Sequence, residues 1–326
     1  MRRELLGLLA CPVCRCEFDL RESITEEGEV LEGRLICSGC NKEFPVADGI
    51  PKLLTDLEEK STAERFGYEW RSFPRISPAY ERQFLDWISP IDKDFFRGKI
   101  VLDAGCGKGR HLYLASRFEA KMIVGIDVSE AVGVARANTR DLPNVHLIQG
   151  DICRPPLKRA FDYIYSIGVL HHLSKPEEGF KALRGLLKKG GTISIWVYGK
   201  EGNGWIVYFV NPLRKFLTSK MPLSILKKAS FPVAYFLYAL CRLLYRPVNL
   251  HLKSFRRFLF YNDYLFYISH FDLKEVHSIV FDHLLAPVAF YIRRDEVLAW
   301  FERSQFVDVK IAWHNKNSWK AMGKLG

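Results

Sequence analysis

The chain has 326 residues, 26% of them charged and 48% hydrophobic, with a formal net charge of +11. That length can bury a sizeable core in one large domain or two, and the mixture excludes a disordered or fibrous protein. The positive excess points to an anionic partner, whether nucleic acid, phospholipid or acidic substrate, and no stretch approaches the roughly 18 uninterrupted apolar residues of a membrane-spanning helix.

The opening "MRRELLGLLACPVC" has a basic tip, but its apolar run ends in cysteines without a small-residue cleavage site, so it is not read as a signal peptide. A soluble cytoplasmic protein is expected, with contact to the inner face of a membrane as a further option. Five of the eight cysteines fall within the first forty residues. Cys11 and Cys14 form one C-x-x-C, and Cys37 and Cys40 form a second. Two such knuckles place four thiolates around one point, the pattern of a closed, structural zinc site. Disulfides are the alternative, but no secretory signal supports an oxidising compartment. Cys16 has no matching fifth partner. "LLACPVC" and "LICSGCNKEFPVADGIPKLL" resemble the short zinc-ribbon proteins that activate RNA and protein methyltransferases. The resemblance covers about residues 1–55 and implies a zinc ribbon fused to its enzyme.

Residues 56–99 begin as a polar linker and become an aromatic, helical cover. Within it, "FGYEW" supplies Tyr68 and Trp70 as candidates for lining a donor or substrate site, or as plain core. The segment 100–198 then alternates strands and helices. "GKIVLDAGCGKGRHLYLASRF" predicts a buried strand over 100–104, a glycine turn and a helix from about Arg110. The dinucleotide fingerprint needs a glycine where Arg110 stands, so the pattern is D-x-G-x-G-x-G with Asp103 at the strand end. An acid beside this turn suits a cationic ligand end, such as the ammonium or sulfonium of S-adenosylmethionine. The next strand ends in Asp127, 24 residues on, placed to accept ribose hydroxyls, with Ser129 as the expected helix N-cap. A third strand ends at Gly150-Asp151, where a carboxylate suits the adenine amino group. Each aspartate alone has a plainer reading as a helix cap. Three on successive strand ends favour a ligand site in a doubly wound parallel sheet.

This series resembles the class I S-adenosylmethionine-dependent methyltransferases over about residues 66–200 and again over 290–324. The resemblance implies an α/β, Rossmann-like, seven-stranded sheet. It further implies that Asp103, Gly105 and Gly107 bind the methionine part, Asp127 the ribose, and Asp151 with Ile152 the adenine. The fourth strand leads into "SIGVLHHL" rather than the Asn/Asp-Pro-Pro-aromatic signature of base N6 or glutamine-amide methylation. His171 and His172 are candidate general bases there, or packing residues.

Segment 199–292 is the most individual part, with 12 Lys and Arg against 5 Asp and Glu, and 20 aromatic residues. It predicts a basic, aromatic helical lid, and "FDHLLAP" resembles a substrate-side loop of the methyltransferase family, which implies Phe281 and His283 on the pocket wall. A lid over the active site, a membrane or lipid-facing surface and a nucleic-acid surface compete for it. Residues 293–326 predict a helix and a closing strand pair, and "SQF" where the family has "SGF" puts Gln305 in a left-handed conformation. The expected function is methyl transfer from S-adenosylmethionine to a small-molecule or lipid-like acceptor. An rRNA or tRNA acceptor ranks behind it, and a non-catalytic S-adenosylmethionine-binding scaffold is the third reading.

Overall fold

A computed structural model describes residues 1–55 and 60–326, so the start of the expected linker, 56–59, lies outside the described residues. The first 51 residues form a short 3-10 turn over Arg3–Leu8 and four antiparallel strands in chain order: β1 (Phe18–Glu26), β2 (Glu29–Cys37), β3 (Glu43–Ala47) and β4 (Ile50–Pro51). Glu27 and Gly28 both take positive φ at the β1–β2 turn, as a tight hairpin requires. The Sγ atoms of Cys11, Cys14, Cys37 and Cys40 lie within 4.8 Å of one another, with Cys11–Cys40 at 3.7 Å and Cys14–Cys37 at 3.3 Å. A tetrahedron of thiolates about 2.3 Å from zinc has edges of about 3.8 Å, so the four-sulfur donor set fits a structural zinc ion.

Helices α1 (Lys60–Ser72) and α2 (Ala79–Ile88) precede a seven-stranded sheet. Its elements follow in order: β5 (Ile100–Ala104), α3 (Arg110–Arg117), β6 (Met122–Asp127), α4 (Ala131–Thr139), β7 (Val145–Gln149), β8 (Phe161–Ile167), α5 (Pro176–Arg184) and β9 (Leu187–Tyr198). After an insertion come α11 (Arg294–Arg303), β10 (Phe306–His314) and β11 (Ser318–Leu325). Strand order is β10-β11-β9-β8-β5-β6-β7, with β5 to β9 parallel and β11 antiparallel to both neighbours. The chain leaves β5 in one direction and returns at β8 on its other side, so a ligand crevice opens at the carboxyl ends of these strands. Gln305 turns the corner into β10 at φ 59, as "SQF" implies.

The insertion carries α6 (Asn211–Phe216), α7 (Leu223–Leu240), α8 (Arg246–His251), α9 (Asn262–Ile268) and α10 (Leu273–Leu285), with π-helical turns at Ile206–Val210 and Cys241–Tyr245. Its inner side packs through Cys241, Tyr245, Ile268, Phe271 and Val276. Its outer side is open: 18 of the 23 exposed large apolar residues among those described fall between Trp205 and Phe260. No helix among the described residues is long and apolar enough to cross a membrane.

The ribbon shares its core with the sheet. Leu5, Leu9, Leu35, Val46 and Leu53 join Leu102, Val124, Ile126 and Ile148 of the central strands in one cluster, while Phe84, Phe96, Leu112 and Tyr165 fill a second. Backbone bonds secure the seam, from Ala10 N–H to Pro156 O at 3.0 Å and from Leu53 N–H to Gln149 O at 2.8 Å.

Candidate active site

A cavity of about 380 Å³ runs along the carboxyl ends of β5 to β9. At one end the glycine turn forms its wall. Gly105 has φ 91, and a Cβ there would sit 2.3 Å from Val169 Cγ2. Gly107 has φ 50, and a Cβ would sit 2.8 Å from the Trp70 indole nitrogen. Both positions therefore require glycine, and the turn's backbone faces the cavity.

Asp127 closes this end. Its Oδ2 accepts from the Gly107 N–H at 2.8 Å, and its Oδ1 accepts from the Ser129 N–H and hydroxyl at 2.9 and 2.7 Å. Burial pushes its pKa up, opposed by these bonds. Ser129 accepts in turn from the Ala131 N–H at 3.2 Å, but the N-cap residue of α4 is Glu130, one position after the expected Ser129. The Asp151 carboxylate accepts from Cys153 N–H at 2.7 Å, and both Asp151 and Ile152 line the same wall.

The structure separates Asp103 from that group. Its side chain is 1% exposed, lies beside Tyr165 and is absent from the cavity wall. One carboxylate oxygen has no hydrogen-bond partner among the described residues, and burial holds its pKa well above the carboxylate range. Asp103 is therefore buried beside Tyr165 and off the cavity wall.

The other expected site residues divide similarly. Trp70, His172 and His283 line the cavity, whereas Tyr68, His171 and Phe281 do not. Phe281 is fully buried against Tyr68 and Phe73. His171 is enclosed beside Tyr198, both ring nitrogens without partners among the described residues, and burial depresses its pKa strongly. The His172 Nδ1 lies 2.7 Å from Val288 O, and burial lowers its pKa too, so both rings are neutral at pH 7.

Several wall residues have no counterpart among the sequence candidates. Helix α10 presents Glu275, Ser278, Ile279, Asp282 and His283 to the cavity, a spacing of three and four that makes one helical face. Asp282 accepts from the Tyr198 hydroxyl at 3.0 Å, and His283 lies 3.3 Å from the Tyr264 hydroxyl. Tyr261, Tyr267, Tyr291 and Trp196 complete an aromatic chamber in which the Tyr267 and Tyr291 hydroxyls and the Trp196 indole nitrogen have no partners among the described residues. A planar, hydrogen-bonding ring suits such a chamber. Glu69 of α1 and Lys108 of the glycine turn also line the cavity. The rule that drew attention to Asp103, Asp127 and Asp151 also marks Tyr198 at the end of β9. Trp196, Glu69 and Lys108 lie in β9, α1 and the glycine turn, and the others come from an insertion with no motif.

The groups present suit S-adenosylmethionine. A glycine turn admits a close ligand, carboxylates at successive strand ends accept hydroxyl and amino protons, and the chamber beside them is sized for a ring.

Comparison with known proteins gives two family matches. Residues 101–191 match the family described as "Methyltransferase domain", and residues 2–49 match "Trm112p-like protein". Curated relatives include tRNA U34 carboxymethyltransferases from Pseudoalteromonas atlantica, 33% identical over 41% of this chain and 40% of that protein, and from Aeromonas hydrophila, 34% identical over 43% and 46%. The chain thus spans about half or less of the length of the curated relatives it matches. A solved S-adenosylmethionine-dependent methyltransferase from Aquifex aeolicus is 15% identical over 77% of this chain and all of that one, at a TM-score of 0.42. These relatives correct the expected acceptor. A small-molecule or lipid-like substrate, the anionic membrane partner and the low rank given to RNA are all overturned by relatives named for tRNA. Composition misled because apolar aromatics among basic residues suit base stacking as well as lipid. The chain joins a Trm112p-like zinc-ribbon domain to a methyltransferase domain of the S-adenosylmethionine-dependent fold.

Proposed function

We propose that this protein transfers a one-carbon group from S-adenosylmethionine, or a carboxymethyl group from a related donor, to a tRNA nucleoside. The similarity to tRNA U34 carboxymethyltransferases carries the acceptor. S-adenosylmethionine supplies an electrophilic carbon on a sulfonium. The chain's residues bind and orient: Gly105 and Gly107 give the donor a close backbone wall, Asp127 accepts from the ribose, and Asp151 with Ile152 holds the adenine. The chamber of Tyr198, Tyr264, Tyr267, Tyr291 and His283 receives the acceptor base between aromatic faces and excludes water. Asp282, oriented by the Tyr198 hydroxyl, is positioned to take the acceptor's proton.

The insertion's outer face supports an RNA partner. Between Glu201 and Asp263 there is no acidic residue, while ten Lys and Arg occur there. Exposed Phe216, Phe231, Tyr235, Phe236, Phe255 and Phe258 lie in the same stretch. Cations neutralise phosphates and aromatic faces stack unpaired bases. The test incubates the protein with donor labelled in the transferable carbon and with separate tRNA, rRNA, protein and lipid fractions. Label in a tRNA nucleoside, with the mass of one added methyl or carboxymethyl group, is the expected result. Label confined to protein or lipid would refute the assignment.

A further inference from the structure

Glu69 is the most unusual side chain on the cavity wall. It is 0% exposed, in the last turn of α1, and among the described residues the only hydrogen bond to its carboxyl is donated by the Ser278 hydroxyl to Oε1 at 3.2 Å. Its Oε2 has no partner among the described residues. A buried carboxyl with an open oxygen is costly unless something else completes its hydrogen bonding.

The chain's own cations do not complete it. Lys108 donates its ammonium to Phe73 O and to the Tyr80 hydroxyl, both at 2.9 Å. The Arg110 guanidinium stacks over the rings of Trp70, Tyr80 and Trp87 at 5.7, 5.0 and 5.4 Å. No Lys or Arg among the described residues forms an ion pair with Glu69. The groups facing it are Lys108 from the glycine turn, Arg110 from α3, and Ser278 and Asp282 from α10. Burial, then Asp282, raise the Glu69 pKa well above the carboxylate range, and Lys108, Ser278 and Arg110 only partly oppose them. Burial therefore favours the protonated carboxyl in the free protein, beside the turn that the donor must approach. Asp103, the acid expected to meet the donor's positive charge, lies off the cavity wall.

Resting on the transferase reading above, we propose that Glu69 is the anionic partner of the donor's cationic centre. On binding, the Glu69 O–H bond breaks, its proton passes to solvent, and the carboxylate faces the bound positive charge. That charge is either the ammonium, which donor and spent product share, or the sulfonium, which only the donor carries. Once the sulfonium has become a thioether, a carboxylate facing it takes its proton back, which weakens the hold on the product.

Calorimetry on the full chain tests this by titrating S-adenosylmethionine at pH 7 in two buffers of different ionisation heat, then repeating with S-adenosylhomocysteine. About one proton should be released per donor bound, because a group neutral in the free protein becomes charged in the complex. Glu69→Gln should abolish that release and weaken donor binding at least tenfold. Its thermal midpoint should stay close to wild type, since one neutral group replaces another of the same shape. Release with both ligands assigns the ammonium, and release with the donor alone assigns the sulfonium. Donor binding with an unchanged proton count and affinity in Glu69→Gln would overturn the proposal alone. A wild-type protein that binds no donor would overturn it together with the transferase reading.

Discussion

At the scale of single residues, the glycine-turn end of the cavity depends on a few atoms that cannot be exchanged. Asp127 accepts three hydrogen bonds and thereby fixes Gly107 and the approach to α4. Asp127→Ala should weaken S-adenosylmethionine binding by about 1.5–3 kcal/mol, the range for a hydrogen bond to a charged group, and calorimetry reads this directly. Gly105→Ala should destabilise the fold itself, because the new Cβ would fall 2.3 Å from Val169 in a backbone conformation with φ 91. A thermal midpoint equal to wild type would contradict that. That Asp127, Asp151 and the turn glycines line the cavity, and that the four cysteines converge, was legible in the sequence, because strand-end position and knuckle spacing are local signals. Asp103 was not, because a strand's last residues alternate in direction and local pattern does not say which of them reaches the crevice. Glu69 sits inside the quoted "FGYEW", yet its flanking aromatics drew the attention. What singles it out is burial, which only packing reveals.

At the scale of elements, two junctions determine the site. The first joins ribbon and core. Glu29 of β2 pairs with Arg136 of α4 at 2.9 Å and with the Met1 ammonium at 3.1 Å. Burial pushes the Glu29 pKa up, but these hydrogen bonds and charges outweigh it and bring it down to about 2. With the folded value depressed, this contribution to docking is fully present above the unfolded carboxylate pKa of about 4.3 and is lost as pH falls toward 2. Glu29→Gln should remove that part of the acid dependence, seen as a flatter thermal midpoint between pH 5 and 3, where wild type should decline. The second junction is α10 against the carboxyl end of β9. Tyr198→Phe removes the donor to Asp282 and should reduce kcat on tRNA roughly tenfold while leaving donor affinity intact. An equal loss in donor affinity would place Tyr198 in the donor site instead. The aromatic chamber was beyond sequence reasoning. Its walls come from β9, α9 and α10, which meet only after the insertion folds back over the sheet.

At the scale of the whole molecule, a zinc ribbon, a transferase sheet and a basic helical insertion share one continuous body. Ribbon residues Leu5, Leu9 and Val46 pack in the same cluster as Leu102 and Ile126 of the central strands. Zinc release by Cys11→Ser or Cys40→Ser should therefore lower the thermal midpoint of the sheet as well as loosen the ribbon, because metal-binding energy in such a domain is folding energy. The insertion extends the reach of the site outward. Charge reversal at Lys227, Lys228, Arg256 and Arg257 should weaken tRNA binding and flatten its salt dependence, since each lost phosphate contact removes released counterions from the balance.

Labelled transfer to purified tRNA tests the central claim most directly, using wild type beside the Asp127→Ala variant. The account predicts label in a tRNA nucleoside with the wild-type protein, and its loss or sharp reduction in the variant when donor is limiting. Efficient labelling of lipid or protein with tRNA untouched, or tRNA labelling undiminished in Asp127→Ala, would contradict it.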